Sequence, residues 1–174
     1  MNMLRKLLIA VLLTAGVVAA AYFGMGGHLP PEIRRLSLQK HYFLYRLYEG
    51  RVPTDSLKAL RRQVQTDWQS HKILAWAAAY PHEPQAGELI KLRLGVLLDS
   101  LPAVLPAGYS PDTLKGEWVE LRVQAHPVWA PRPYELHERA QRWAKEHQLL
   151  LSGEFIELMT VPEQKIVILY KIQR

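Results

Sequence analysis

"GEFIELM", residues 153–159, places the Glu157 carboxylate among Phe155, Ile156, Leu158 and Met159. The run is β-favouring and apolar, which predicts a strand. Side chains alternate along a strand, so Ile156 and Leu158 share one face and Phe155, Glu157 and Met159 share the other. Ile156 and Leu158 are the natural pair to pack beneath helices. Glu157 then points to the opposite face, between an aromatic ring and a thioether. Two readings follow. Glu157 is a solvated residue flanked by edge apolars, or it is the one polar group of an apolar pocket. What the rest of the chain builds around it decides between them.

Outward from this strand the elements come in a repeated order. "KHYFLYRLYEG" (40–50) is aromatic and β-favouring and closes on a glycine. "PTDSLKALRRQVQTDW" (53–68) carries a helical stripe of Leu57, Leu60, Val64 and Trp68, with Thr54 or Asp55 available as its cap. "KILAWAAAYP" (72–81) and "LIKLRLGVLL" (89–98) read as strands. A loop rich in Pro and Gly, "LPAVLPAGYSPDTLKG" (101–116), separates this half from the next. There "EWVELRVQAH" (117–126) alternates, with Val119, Leu121, Val123 and Ala125 on one face. "PYELHERAQRWAKEHQ" (133–148) is a helix with Leu136, Ala140 and Trp143 on its buried stripe. "GEFIELM" and "KIVILYKI" (165–172) follow, joined by a turn at "VPEQ". Strand-helix-strand-strand occurs twice. The expected fold class is α+β: an antiparallel sheet with both helices on one face and a groove on the open face opposite.

The 174 residues suit one domain with an appendage, and 49% apolar residues supply a core. The absence of cysteine excludes disulfides, thiol nucleophiles and Cys-containing metal sites. The net charge of +6 is drawn in part from Arg5, Lys6, Arg34 and Arg35, and the other charges are scattered in both signs. No basic run with interleaved aromatics occurs, which argues against a nucleic-acid partner.

"MNMLRKLLIAVLLTAGVVAAAYFG" (1–24) has two cations and then an apolar run from Leu7 to Gly24. It is long enough to span a bilayer core as an uncleaved anchor. Small residues at "VVAAA" also permit a signal peptide cut there, after which the domain is secreted. The run exceeds a usual signal core, which favours a single-pass anchor. Arg5 and Lys6 hold the tail in the cytoplasm and put the domain on the outer, periplasmic side, although Arg34 and Arg35 follow closely. The expected division is 1–25 anchor or signal segment, 26–37 linker and 38–174 folded domain.

Enzymatic motifs are missing. No H-E-x-x-H, G-x-G-x-x-G or Walker loop occurs, and "GYSPD" is not a nucleophile elbow. No catalytic residue, metal ligand or cofactor is therefore assigned. His82 and His126 read as surface groups. Trp68 and Trp143 belong to helix stripes. Trp76, with Ala75, Ala77 and Ala79 beside it, either enters the core or flanks a cavity with Tyr80. Trp129 reads as a loop aromatic near the groove mouth.

The element order resembles the GyrI-like small-molecule-binding domain, also found as the effector domain of multidrug-sensing transcription activators. "AAAYPHEP" (77–84) is similar to that family's strand ending in a tyrosine before a short acidic turn, which places Tyr80 and Pro84. "KLRLGVLL" (91–98) resembles the following strand, with Gly95 and Val96. "GEFIELMTVPEQKIVILYKI" (153–172) resembles the closing hairpin, and Glu157 matches the family's ligand-binding glutamate. The similarity covers residues 38–174. One departure is "YEGRVP" (48–53), where Arg51 and Val52 stand in place of a Pro-Tyr pair. A membrane helix ahead of such a fold is similar to reticulum-anchored animal relatives. The resemblance implies a membrane-tethered domain that holds a hydrophobic or cationic small molecule. Its expected binding residues are Glu157, Phe155, Met159, Tyr80 and Trp76. A protein-docking module using the same groove is the alternative, and a small-molecule hydrolase with Glu157 as base to water is a third.

Overall fold

Nothing in the apolar run after Lys6 breaks a helix, and Met3–Gly24 forms one, α1, whose side chains are almost all exposed. In the computed structural model the described residues are 3–51, 54–85, 87–126, 128–161, 163 and 165–173. The segment Arg5–Gly24 is long and apolar enough to cross a membrane, a test that a signal sequence also passes.

The remaining elements are β1 (Glu32–Arg51), α2 (Asp55–Trp68), β2 (Ala75–Tyr80), β3 (Leu89–Leu98), β4 (Ser110–Arg122), α3 (Pro133–Glu146), β5 (Leu151–Thr160) and β6 (Ile166–Ile172). The fold is α+β with six antiparallel strands, and the repeated order of elements is present. Thr54 caps α2 by accepting from the Leu57 N–H. Pro133 occupies the first turn of α3, where its missing N–H costs nothing.

Two strands reach further than the sequence suggests. β1 begins at Glu32, inside the stretch read as linker, and pairs Glu32–Leu38 with Arg122–Gly116 of β4. β4 begins at Ser110, within the stretch read as loop. Both extensions are polar, and that of β4 also carries Pro111 and Gly116, so the partner strand holds them rather than their own propensity. Of the departure noted at Arg51 and Val52, Arg51 ends β1 and Val52 lies outside the described residues.

The extra length of β1 closes the sheet. The strand order is β1-β3-β2-β5-β6-β4, and β1 pairs with both β3 and β4. Read from either end, this order exchanges the two halves of the chain. At the seam Gly95 lies so close to β1 that a Cβ there would overlap the Leu44 carbonyl. Closure corrects the expectation of an open face opposite the helices. That face is the barrel interior, filled by Phe43, Ala75, Ala77, Ala79, Leu97, Leu114, Trp118, Ile156, Leu158, Val167 and Leu169. Six strands enclose only enough space for side chains.

Both helices pack on the outer face. Leu57, Val64 and Trp68 of α2 join Leu44, Leu92, Leu94 and Val96. Leu136 and Ala140 of α3 join Val119, Leu121, Ile168 and Tyr170. α2 thus covers the β1–β3 side and α3 the β4–β6 side. The central strands β2 and β5 lie between them.

Candidate functional site

β2 and β5 meet in register: Trp76 faces Met159, Ala78 faces Glu157 and Tyr80 faces Phe155. β6 continues the rows, with Ile166 beside Met159, Ile168 beside Glu157 and Tyr170 beside Phe155. Paired residues project to the same side of a sheet, so all nine side chains lie on the helix-bearing face. Gly153, at φ 78°, sits in a register shift of the β5–β6 pair, and the stretch from Phe155 onward follows that bulge.

The face assignment made from the sequence is therefore reversed. Ile156 and Leu158 are buried in the barrel, not under the helices, and Glu157 lies on the helix side, in the groove between α2 and α3. The alternation was read correctly. What inverted it was closure of the sheet, because a closed barrel makes the face away from the helices the most enclosed one.

Glu157 forms the wall between two cavities. On the α2 side is one of about 130 Å³, lined by Arg61, Val64, Gln65, Trp76, Ala77, Ala78, Leu94, Gly95, Glu157 and Met159. On the α3 side is one of about 510 Å³, within the range of small-molecule sites. Its floor is a row of aromatics. Tyr80 stacks on Phe155 at 5.0 Å with an interplanar angle of 14°, and Phe155 meets Tyr170 at 5.7 Å. His137 of α3 stands 5.4 Å from the Tyr170 ring, and Glu83, Pro84 and the loop Ala130–Pro133 complete the walls. The small side chain at Ala78 leaves space beside the carboxylate. The shift in numbering that takes Leu57 to Leu136 also takes Ala78 to Glu157, so the corresponding position of the first half carries no charge.

The electrostatics follow from this enclosure. Burial pushes the Glu157 carboxyl above the usual carboxylate range, and the Arg61 guanidinium partly opposes the shift. Burial also raises the Tyr80 phenol, and the Glu157 charge adds to the effect while Arg61 counters it. Tyr170 is raised by burial and then by the charges of Glu83 and Glu157. Both phenols stay protonated at neutral pH and present donors. His137 has Nε2 2.7 Å from the Gln141 amide nitrogen, and its Nδ1 is buried without a hydrogen-bond partner among the described residues. The site thus offers aromatic faces, two carboxylates and an unused ring nitrogen. Among the described residues no group of three or more His, Asp or Glu side chains is arranged to hold a metal ion.

Of the five residues expected from the sequence, Trp76, Met159 and Glu157 line the smaller cavity and Tyr80, Phe155 and Glu157 the larger. Trp76 is half-buried and Met159 is 42% exposed, so the smaller cavity has one open edge. Sequence reasoning missed Arg61, Glu83 and His137. Arg61 and His137 sit one position beyond Leu60 and Leu136 of their helix stripes, and that offset was the available signal. Tyr170 was read as an ordinary strand residue. Its role follows only from its pairing with Phe155.

No protein-family model matches the chain, and no curated protein matches it. Solved structures do. The chain is similar to EcmrR in its complex with DNA, with a TM-score of 0.56 at 9% identity, over 98% of this chain and 70% of that one. It is similar to the C-terminal domain of EcmrR, with a TM-score of 0.56 at 7% identity, over 84% of this chain and 99% of the domain. A hydrolase from Listeria innocua gives a TM-score of 0.54 at 7% identity, over 84% of this chain and 95% of that one. At these identities the likeness is one of fold, and sharing the fold of the EcmrR C-terminal domain supports the GyrI-like fold expected from the sequence.

Proposed function

We propose that the chain is a small-molecule-binding domain held behind an N-terminal membrane anchor. The observation that carries this reading is Glu157. A carboxylate is kept in a desolvated groove, beside an aromatic row and a cavity of about 510 Å³. Burying such a group unpaired is unfavourable, and a cationic or hydrogen-bond-donating ligand offsets that cost. The aromatic faces of Tyr80, Phe155 and Tyr170 suit the same ligand through cation–π attraction. Residues 1–25 serve as the anchor, with the short basic tail cytoplasmic and the domain on the outer side. The folds of EcmrR and its C-terminal domain support a binding role.

The test is a thermal-shift series on the full chain in detergent, with ethidium as a planar cation and an uncharged aromatic of similar size. Stabilisation by the cation that is lost in Glu157→Gln supports the reading. No shift with either compound removes it. Retention of the chain in membranes after alkaline carbonate extraction tests the anchor separately, and a mature N-terminus near Tyr22 would show a cleaved signal instead.

A hydrolase reading has one specific observation behind it, a carboxyl of raised pKa beside the Tyr80 phenol, in a fold shared with a protein described as a hydrolase. Ester or epoxide turnover that disappears in Glu157→Gln would establish it.

A further inference from the structure

The larger cavity and the end of α1 meet at one loop. After β4 the chain runs from Val123 to Arg132 before α3 begins. The His126 N–H donates to the Met25 carbonyl at 2.9 Å. The Trp129 indole N–H is directed at the Met25 sulfur at 3.3 Å, and its ring meets Tyr22 edge-on at 5.4 Å. The residues that follow, Ala130 to Pro133, form the rim of the cavity. The rim therefore starts one residue beyond the indole that holds the helix end.

The last turn of α1 has the composition of a membrane boundary. Tyr22 and Phe23 sit where a spanning helix leaves the hydrocarbon, the level at which aromatic side chains concentrate. Phe23, Met25 and Leu29 are exposed there, and Val128 of the loop is 72% exposed beside Trp129. Because Tyr22 and Met25 meet Trp129 directly, apolar surface stands on both sides of the join between the helix and the cavity rim, with Arg132 as the cation on that rim.

We infer that the larger cavity takes its ligand from the bilayer surface: a cation carried on an apolar tail. The head lies against Tyr80, Phe155 and Tyr170 with Glu83 and Glu157 as counter-charges. The tail leaves over Pro131 and Val128 toward α1. This rests on the proposed function, both the anchor and the Glu157 groove. A bilayer concentrates such a ligand, each buried methylene contributing about 0.8 kcal/mol to partitioning, and the apolar surface at the join gives the tail a path between membrane and cavity. A water-soluble cation with the same head gains neither.

The experiment uses the full chain reconstituted in vesicles of digalactosyldiacylglycerol, a neutral lipid without an ammonium group. The probes are photoactivatable dodecyltrimethylammonium, which partitions into the bilayer, and photoactivatable phenyltrimethylammonium, which does not. Labelled peptides are mapped by mass spectrometry. The inference expects the dodecyl probe to label residues 130–137 and 155–170 in proportion to its mole fraction in the bilayer. Labelling should fall about tenfold in Glu157→Gln, as for loss of a charge-assisted contact. In a Tyr22→Ala, Trp129→Ala double variant, labelling by the dodecyl probe should fall several-fold while labelling by the phenyl probe is unchanged. Equal labelling by both probes at equal aqueous concentration overturns the inference and leaves small-molecule binding standing. If neither probe labels the cavity, the binding reading fails with it. Release of the chain from the vesicles on carbonate washing overturns it through the anchor alone.

Discussion

The two faces of β5 make the informative comparison. Ile156 and Leu158 enter the barrel, where Ile156 is 1% exposed and belongs to one buried cluster with side chains from β2, β4 and β6. Phe155, Glu157 and Met159, from the same strand, enter a groove that two helices border without filling. One face is packed as a protein interior is packed, and the other keeps cavities on both sides of a carboxylate. The strand is equally regular on both sides. The difference comes from what covers it, a curved sheet that closes on itself against two helices held apart by the pair of central strands. Stability and binding are thereby assigned to alternate residues.

Substitutions on the two faces should separate accordingly. Ile156→Asp buries a charge where nothing can pair with it, and we expect loss of more than about 4 kcal/mol, enough to unfold a domain of ordinary stability. Circular dichroism and urea melts of the full chain in detergent check this. A folded variant with modest loss would show that the barrel is looser than the packing implies. One residue along, Glu157→Gln should leave the fold intact and weaken ethidium by about 1.5–3 kcal/mol, the range for a charge-assisted hydrogen bond. Unchanged affinity would place the cation elsewhere.

Arg61 sharpens the comparison within the groove. It projects from the exposed side of α2, lines the smaller cavity and favours the ionised form of Glu157. In the empty groove it is a resident counter-charge, and a bound cation has to share the carboxylate with it. Arg61→Gln should therefore strengthen ethidium binding a few-fold while leaving an uncharged aromatic unaffected, a modest effect because the arginine is solvated and screened. Weaker binding in this variant would mean that Arg61 holds the ligand itself.

Much of this was legible in the sequence and some was not, for physical reasons. Alternation in residues 153–159 and the helix stripes of Leu57–Val64 and Leu136–Ala140 are local, and they gave the elements and the repeated order. Glu157 stood out because a carboxylate with apolar neighbours on both sides along a strand is locally anomalous. Which face it occupied was not local. It depended on β1 reaching back to Glu32 to pair with β4, through residues whose own composition reads as linker. Arg61, Glu83 and His137 were hidden for a similar reason, since each reaches the site from an element that only tertiary packing brings beside β5. Tyr170 joins the aromatic row through strand register, which a single strand does not encode.

The smallest effect tests the enclosure of Glu157 directly. Its folded pKa is raised above the unfolded value, so the native state holds that proton more tightly. The stability this provides is complete below the unfolded value, about 4.3 for an ordinary glutamate, and is lost as pH rises through the raised folded value. Glu157→Gln carries no such proton. Parent and variant should match most closely in acid, and the variant should gain relative stability as pH rises across that window, by at most about 1.4 kcal/mol per pH unit. Above the folded pKa the gap should stay constant. Urea melts of both chains from about pH 4 to pH 8 measure it. Saturating ethidium should narrow the gap, because a bound cation keeps the parent's carboxylate ionised in the native state and pulls its pKa back down. A gap that is flat across the whole range would mean that Glu157 is as hydrated in the fold as in the unfolded chain, and the two faces of β5 would then differ in packing alone.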